Sequence, residues 1–435
     1  MRIDTMQEKL TNIAVSLSDI DYHLPNEKIA YFPLESRDQS KLLVYKDKTI
    51  TDANFAQLSE FLNEDCALVF NDSKVIHARL LLQNRYGAKI EVFLLEPVYP
   101  TRDIASAFSQ TGVVAWKCLI GNAKKFRDAI NFDVLCGDRS TKSLEKEVEK
   151  GMQRTECADE KFSIKITAEK GDRIGDVFLV TFMWEDETVT FAEWLDACGK
   201  MPLPPYIKRD ADAMDEVRYQ TIYAQQQGSV AAPTAGLHFS KDVLQSIKNK
   251  NIAFKNITLH VGAGTFKPVA TPSVLDHEMH REQMVISRDT VEFLIENRNK
   301  KIVAVGTTVA RCLESIFIMG AKLCLGISQP FLIKQFEIYE NKKLQKVSVN
   351  DALTALIQYF NNNNLLEITA LTSLMILPYY RHTIAKGLIT NFHQPKSTLL
   401  LLISSYLGEE WRSVYEHALS HNYRFLSYGD SNLYL

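Results

Sequence analysis

The stretch Ile302-Val303-Ala304-Val305-Gly306-Thr307-Thr308 decides the fold class, because an apolar run ends there at a glycine and two threonines follow. Residues 302–305 are apolar enough for a strand that is buried on both faces of a parallel sheet. Residues 310–316 then carry Cys312, Leu313 and Ile316 on one face of a helix. The sequence therefore predicts a strand, a glycine turn and a helix at this point.

The same plan recurs elsewhere in the chain. Residues 256–262 alternate between apolar and polar side chains, which is typical of a strand. A strand at 387–390, a loop around His393 and a helix from Ser397 repeat the arrangement of strand, loop and helix. Such alternation predicts an α/β fold with a mostly parallel sheet and helices packed on it.

A different pattern, of short strands separated by polar turns, occupies the region from about residue 75 to residue 184. Consecutive strands of this kind indicate a small β-barrel or sandwich without convincing helices. The charged segments 99–110 and 136–161 are predicted to be long surface loops.

Two domains are expected from these patterns. A discontinuous α/β domain comprises residues 1–74 and 200–435, and it carries the catalytic site. A small β-barrel domain of residues 75–199 is inserted into it.

The composition excludes several classes of protein. The 435 residues are 46% hydrophobic and 24% charged, which excludes disordered, collagen-like and coiled-coil chains. With a formal net charge of -3, a nucleic acid would have to be bound by a local basic patch. The longest apolar run, 399–403, is far shorter than the roughly 18 residues that span a bilayer. Residues 1–10 do not resemble a signal peptide.

The seven cysteines include no C-x-x-C pair, which favours a reduced chain over a disulfide framework or a zinc site built from cysteines. We therefore expect a cytoplasmic protein with no membrane partner.

The most specific information lies in dense polar strings. They are residues 228–239 (GSVAAPTAGLHF), 259–266 (LHVGAGTF), 277–280 (HEMH), 390–398 (TNFHQPKST) and 423–430 (YRFLSYGD). Together with residues 21–25 (DYHLP) and 70–76 (FNDSKVI), these strings closely resemble the S-adenosylmethionine:tRNA ribosyltransferase-isomerase family. The resemblance covers most of the chain.

The resemblance implies an enzyme of queuosine synthesis, with an α/β domain that carries an inserted β-barrel. Members of the family move and isomerise the ribosyl part of S-adenosylmethionine onto an aminomethyl-deazaguanine at the wobble position of tRNA. They form epoxyqueuosine and release adenine and methionine. The implied partners are therefore tRNA and S-adenosylmethionine, which serves as co-substrate, with no retained cofactor. The resemblance also implies a monomer.

Four segments depart from the family pattern. They are Glu216, which is displaced by one residue in EVRYQT, residues 281–284 (REQM), residues 74–77 (KVIH) and the longer tract 335–377. These departures keep a second hypothesis open, namely a catalytically silent paralogue that binds RNA or a nucleotide. Methyl transfer from S-adenosylmethionine is a third hypothesis.

The chemistry requires a general base and a general acid. Histidine and carboxylate side chains can fill both roles. His238 and His260 are the predicted catalytic residues, with Asp72 and Glu282 as carboxylate alternatives. Taken without the resemblance, each histidine is more often a hydrogen-bonded structural residue.

A larger set of residues is predicted to bind substrate, on the strength of the resemblance. The set is Thr234, Gly236, Gly262, Gly264, Thr265, His277, His280, Thr307, Thr308, Arg311, Asn391, His393 and Lys396. Thr307 or Thr308 is expected to cap the helix after Gly306 and, with Arg311, to hold a methionine carboxylate or a tRNA phosphate. A helix cap without a ligand is the alternative.

His277 and His280 could also bind a metal ion, since they lie three residues apart with Glu278 and Glu282 nearby. No third ligand stands at a familiar spacing, and the resemblance implies no metal. The sequence therefore favours a site without a metal.

Several basic residues and one tyrosine are predicted to contact tRNA. They are Lys124, Lys125, Arg127, Lys208, Arg209, Arg218 and Tyr219. A solvated surface is the alternative for the basic residues. Tyr219, Phe392 and Tyr428 could stack on adenine or on an unstacked anticodon base, and core packing is the alternative for these aromatic side chains.

Overall fold

The structure is a computed structural model that describes residues 16–136, 162–262, 271 and 273–435. The chain divides into two compact units. The larger comprises Met1–Lys74, Pro204–Arg209 and Met214–Leu435, and the smaller comprises Val75–Leu203 and Asp210–Ala213.

The strands and helices are numbered in chain order. The strands are β1 (Lys41–Lys46), β2 (Thr49–Asn54), β3 (Cys66–Asn71), β4 (Ser73–Val75), β5 (Arg79–Gln83), β6 (Lys89–Tyr99), β7 (Val113–Gly121), β8 (Ile130–Cys136), β9 (Phe162–Ile174), β10 (Val177–Trp184), β11 (Gln226–Ser229), β12 (Ala253–His260), β13 (Glu282–Ser287), β14 (Lys301–Val305), β15 (Leu332–Ile333), β16 (Glu367–Thr372), β17 (Ala385–Asn391) and β18 (Ser431–Tyr434). The α-helices are α1 (Ile104–Phe108), α2 (Phe191–Cys198), α3 (Ala213–Arg218), α4 (Lys241–Asn249), α5 (Arg288–Glu296), α6 (Thr307–Cys324), α7 (Glu337–Glu340), α8 (Val349–Asn363), α9 (Thr398–Leu407) and α10 (Trp411–Ser420).

The larger unit is built on a ten-stranded sheet in the order β15-β16-β13-β12-β3-β14-β17-β18-β1-β2. Its central strands β12, β3, β14 and β17 are all parallel to one another. Antiparallel pairs join β17 to β18 and β12 to β13, so that the sheet as a whole is mixed. The predicted α/β class is confirmed, with the parallel strands concentrated at the centre.

Apolar side chains cover both faces of the central strands. All six residues of β3 are buried, as expected for a strand between two layers. On one face lies α6, in which Val309, Leu313 and Ile316 are buried. On the other face lies α4, whose Val243 and Ile247 belong to a second apolar cluster. Because the central strands are parallel, their carboxyl ends lie at one edge of the sheet.

The tract 335–377 forms part of the larger unit's core. Helix α8 buries Leu353, Leu356 and Phe360, and it packs closely on α6. A Cβ atom at Gly320 of α6 would lie 2.1 Å from the backbone oxygen of Ala352, which is why a glycine is required there. Strand β16 then joins the large sheet beside β13.

The smaller unit contains a six-stranded antiparallel sheet in the order β5-β6-β7-β10-β9-β8. Its core contains packed aromatic rings. The ring centroid of Trp194 in α2 lies 4.9 Å from that of Phe191 and 5.5 Å from that of Phe182. The predicted barrel-like β unit is confirmed. None of the helices in the described parts of either unit combines the length and the hydrophobicity needed to cross a membrane.

The predicted surface loop at 99–110 is wrong in part, because it contains helix α1. The Asp103 carboxylate caps this helix by accepting a hydrogen bond from the Ser106 amide at 2.8 Å. Ile104, Ala107 and Phe108 are buried, so that the short helix is held by its apolar face. The second predicted loop lies outside the described residues, apart from Cys136 at the end of β8.

Candidate active site

The main cavity of the larger unit lies at the carboxyl ends of β14 and β17, which are parallel neighbours in the sheet. It is a partly open cavity of about 780 Å³, a volume that includes solvent at its mouth. Predicted site residues that line it are Thr234, Thr307, Thr308, Asn391 and His393. Ligands in α/β sheets gather at this edge, where the chain leaves adjacent strands.

One wall of the main cavity is the amino end of α6. Gly306 has a φ of 103°, which favours glycine, and it occupies the N-cap position without a side-chain cap. The predicted threonine cap is therefore wrong, because α6 begins at Thr307 and both threonines lie inside the helix. The first amides of a helix have no partner within it and carry the positive end of its dipole. This wall therefore favours an electron-rich ligand group.

Asn391 projects from the end of β17 and is held by His238. The amide Nδ2 of Asn391 lies 2.9 Å from Nε2 of His238, and Nδ1 of that ring lies 2.8 Å from Oγ of Ser40. Because Nδ2 is a donor, Nε2 accepts and Nδ1 donates to Ser40. The Oδ1 atom of Asn391 is buried without a hydrogen-bond partner in the described part of the chain. It is therefore available to a donor on a ligand.

His238 is a neutral histidine in this arrangement. Burial, followed by the charges of Arg424 and Arg37, lowers its pKa to about 3. Both ring nitrogens are engaged in hydrogen bonds, and the ring does not line the main cavity. The geometry supports a role in positioning Asn391, and the predicted proton transfer by His238 stays a prediction.

His393 is the predicted histidine that lines the main cavity itself. Burial lowers its pKa to about 3, so that the ring is neutral near pH 7. Its Nε2 lies 3.0 Å from Oγ1 of Thr390, and its backbone amide donates to Oη of Tyr415 at 3.2 Å. The ring is therefore fixed in orientation and uncharged at the wall of the main cavity.

A second cavity contains another group of predicted residues. It is lined by Gly262, His277, His280, Glu282 and Arg311. Arg311 and Glu282 form an ion pair that is almost fully buried. Burial raises the pKa of Glu282, and the opposing effect of the Arg311 charge and of hydrogen bonds from Arg311 and the Gly262 amide is smaller.

Arg311 and the two threonines thus face different cavities. Thr307 and Thr308 line the main cavity, whereas Arg311 lines the second cavity and is paired with a carboxylate. The structure does not bring the three side chains together around one anion. Within the second cavity, burial and then the neighbouring His280 lower the pKa of His277.

Other predicted residues lie outside both cavities. Asp72 accepts a hydrogen bond from Thr258 at 2.8 Å, and burial raises its pKa. His260 is buried at the end of β12, opposite Gln283 of β13. Lys396 forms a half-exposed ion pair of 3.1 Å with Asp21.

Three further residues predicted to bind substrate are Gly236, Gly264 and Thr265. A Cβ atom at Gly236 would lie 2.1 Å from Oη of Tyr223, so that this glycine is needed for packing. Gly264 and Thr265 lie outside the described residues.

The sequence matches the family described as "Queuosine biosynthesis protein" over residues 17–434. The chain belongs to this family. A relative from Trichlorobacter lovleyi, named S-adenosylmethionine:tRNA ribosyltransferase-isomerase, is 33% identical over 96% of this chain and 99% of its own. A relative of the same name from Aromatoleum aromaticum is 35% identical over 96% of this chain and 97% of its own. A solved S-adenosylmethionine tRNA ribosyltransferase from Thermotoga maritima is 24% identical with a TM-score of 0.43, and the match covers 96% of this chain and 100% of that one.

The predicted family membership is confirmed by these matches. Two of the strings that resemble the family, 228–239 and 390–398, supply Thr234, Asn391 and His393 to the main cavity. The string at 277–280 lines the second cavity instead. The strings that carry the resemblance therefore meet in space around two cavities of the larger unit.

The predicted tRNA contacts are distributed over both units of this queuosine biosynthesis protein. Lys124, Lys125 and Arg127 are exposed in the smaller unit, and Lys208 is exposed in the larger one. Their contact with tRNA stays a prediction.

The remaining tRNA candidates are engaged within the larger unit. Arg209 binds the buried Asp215 through two hydrogen bonds of 2.6 and 2.8 Å. Tyr219 is fully buried, so that its ring packs in the core. Arg218 lines a small cavity next to His238.

A metal-ligand cluster around His277 and His280 is not found in the described part of the chain. The group found there consists of Asp52, His417 and His421, whose ligand-type atoms lie within 4.8 Å of one another on the surface. Nε2 of His417 lies 3.0 Å from the Asp52 carboxylate, so that the pair joins β2 to α10. It lines neither of the two cavities.

The sequence did not indicate the residues that orient the site histidines through hydrogen bonds. Ser40 binds His238, and Thr390 binds His393. Thr390 and Ser427 belong to strings that were already recognised, and both line the main cavity. Ser40 belongs to no such string, and only the three-dimensional structure brings it to His238.

Proposed function

We propose that this chain is an S-adenosylmethionine:tRNA ribosyltransferase-isomerase of queuosine biosynthesis. The enzyme class is that of its curated relatives, which match almost the whole chain at 33% and 35% identity. The observation that carries the proposal is that three of the matching strings, 228–239, 390–398 and 423–430, supply residues to one cavity at the carboxyl ends of β14 and β17. Its substrates are S-adenosylmethionine and tRNA with an aminomethyl-deazaguanine at the wobble position.

The reaction transfers the ribosyl part of S-adenosylmethionine to the amine of the deazaguanine and isomerises it to the epoxycyclopentane of epoxyqueuosine. Adenine and methionine leave as products. S-adenosylmethionine is consumed as a co-substrate, and the enzyme needs no retained cofactor. It acts as a monomer in the cytoplasm.

The main cavity suits such a ligand in three respects. Asn391 carries a buried amide oxygen that lacks a partner in the described part of the chain, and an amino group of a base would satisfy it. The amides at the start of α6 suit an electron-rich group such as a carboxylate or a ring nitrogen. His393 is neutral, so that no cation of its own opposes the sulfonium.

Adenine release measured with purified protein tests the proposal. Incubation with S-adenosylmethionine and precursor-containing tRNA should release adenine and methionine in step with modification of the tRNA. Omission of the precursor base should abolish release, because that base supplies the nucleophile. Formation of S-adenosylhomocysteine would instead identify a methyltransferase. Binding of tRNA without release of any product would identify a silent paralogue.

A further inference from the structure

A third cavity of about 270 Å³, called the arginine cavity here, lies in the larger unit beside His238. Three arginines from separate parts of the chain line it, namely Arg37, Arg218 and Arg424. Among the described residues, no carboxylate side chain lines it. The cavity is therefore a concentrated positive site in a protein whose net charge is -3.

Two of these arginines are not neutralised by any carboxylate in the described part of the chain. Neither Arg37 nor Arg218 has a carboxylate within ion-pair distance in the described ranges, and their hydrogen bonds go to backbone carbonyls. The Nε atom of Arg218 is buried without a partner in the same ranges. Asp430 partly compensates Arg424, since its carboxylate lies 3.8 Å from that Nε.

Repulsion between Arg37 and Arg218 also indicates that the arginine cavity lacks a counter-charge for these two side chains among the described residues. Burial, followed by the Arg218 charge, lowers the pKa of Arg37 to about 10. Like charges held together in a partly buried cavity are unfavourable unless an anion joins them. Arginine is the side chain that binds phosphate in a fixed planar geometry.

The arginine cavity is a neighbour of the main cavity. Ser427 lines both. His238 lines the arginine cavity, and its ring is hydrogen-bonded to Asn391 in the main cavity. An anion in the arginine cavity would thus lie beside His238, whose ring is hydrogen-bonded to the Asn391 amide of the main cavity.

We infer that the arginine cavity binds a backbone phosphate next to the wobble nucleotide of tRNA while its base reacts in the main cavity. This inference rests on the proposed function. A phosphodiester carries one negative charge and no positive one. S-adenosylmethionine carries a sulfonium and an ammonium besides its carboxylate, so that three guanidinium groups would repel it. The phosphate therefore fits the site better than the carboxylate does.

The test replaces Arg218, whose side chain donates one hydrogen bond within the described ranges, to the carbonyl of Glu35. Arg218→Gln should weaken binding of an anticodon stem-loop about tenfold and lower the slope of log affinity against log salt by about 1. Arg218→Lys should keep most of the salt slope while losing affinity, because the planar fork is lost. Affinity for S-adenosylmethionine should not change.

Arg298→Gln is the matched control. Arg298 is exposed, and its side chain likewise donates one hydrogen bond among the described residues, to the carbonyl of Ile295 at 3.1 Å. It lines none of the three cavities. The control removes the same charge from the same unit and should change stem-loop affinity much less than Arg218→Gln does. Equal effects of the two substitutions on affinity would overturn the inference.

A chemical substitution in the RNA makes the test independent of folding. A neutral methylphosphonate is placed at each of the two phosphates that flank the wobble nucleotide in turn. At one position it should weaken binding to the wild-type protein about tenfold but have no further effect on Arg218→Gln. Additive losses at both positions would contradict the inference, as would weaker S-adenosylmethionine binding with unchanged RNA affinity. Failure of the wild-type protein to bind or modify any tRNA would refute the proposed function instead.

Discussion

Nε2 of His238 lies 2.9 Å from Nδ2 of Asn391, and this contact fixes the orientation of the amide whose oxygen has no partner in the described residues. His238 is itself fixed by Ser40 on the opposite side of the ring. Hydrogen bonds thus link the three side chains in a row that ends at Asn391 in the main cavity. Its function would be to hold an acceptor in place for the substrate.

Replacement of His238 by glutamine should therefore lower turnover about 10²-fold, because a misplaced binding group costs about that much. The pH dependence of the rate should keep its shape, since the pKa of His238 is already about 3 and the ring does not titrate near neutrality. Steady-state kinetics from pH 6 to pH 9 measure both. Loss of a titration near pH 7 in the variant would show instead that His238 transfers the proton.

Gly236→Ala should destabilise the protein by about 1 to 3 kcal/mol, because its Cβ would overlap Oη of Tyr223 and lie 2.8 Å from Cγ2 of Thr221. Gly262→Ala is the matched control, since a Cβ there has no described atom within 4 Å. Urea denaturation of both variants measures the difference. Equal midpoints would contradict the packing role of Gly236.

Arg311→Met should lower the free energy of unfolding by about 3 to 5 kcal/mol, because it leaves the buried Glu282 carboxylate unpaired. The double variant Glu282→Gln with Arg311→Met should recover much of that loss, since no unpaired charge remains. Thermal and urea unfolding of the three proteins provide the comparison. A double variant less stable than the single one would contradict this account of the pair.

His382 should make the protein less stable in acid. Burial lowers its pKa from 6.5 to about 4, with Glu314 opposing the shift and Lys386 adding to it. The unfolded chain therefore binds a proton between these pH values that the folded chain does not, and stability falls as the pH falls from about 6.5 toward 4.

The contribution of this one group is up to about 1.4 kcal/mol per pH unit. His382→Gln should remove it, so that the free energy of unfolding falls less steeply between pH 7 and pH 5 than in the wild-type protein. The raised pKa values of Asp72 and Glu282 make the folded protein more stable as the pH falls. Both proteins contain these carboxyl groups, so that their effect cancels when the two slopes are compared. Identical slopes would contradict the prediction.

The sequence predicted the central elements well, because their apolar patterns are local. The strand predicted at 302–305 is Lys301–Val305, and the helix predicted from 310 is part of Thr307–Cys324. Helix Ile104–Phe108 was missed because five residues with one apolar face are too few for a helical period to stand out from a loop.

The candidate site was predicted less completely, since it depends on contacts between distant segments. Thr307 and Asn391 are brought together only because β14 and β17 are neighbours in the sheet. The pairing of Arg311 with Glu282, 29 residues away, directs that arginine to a different cavity from the threonines. No spacing in the sequence indicates which of these partners an arginine takes.

The fate of two labels in S-adenosylmethionine tests the central claim most directly. One label is placed in the ribosyl carbons and the other in the methyl group, and the protein is incubated with precursor-containing tRNA. The account predicts that the ribosyl label enters the tRNA in a one-to-one ratio with released adenine, while the methyl label leaves in methionine. Methyl label in the tRNA, or adenine release without ribosyl label in the tRNA, would contradict it.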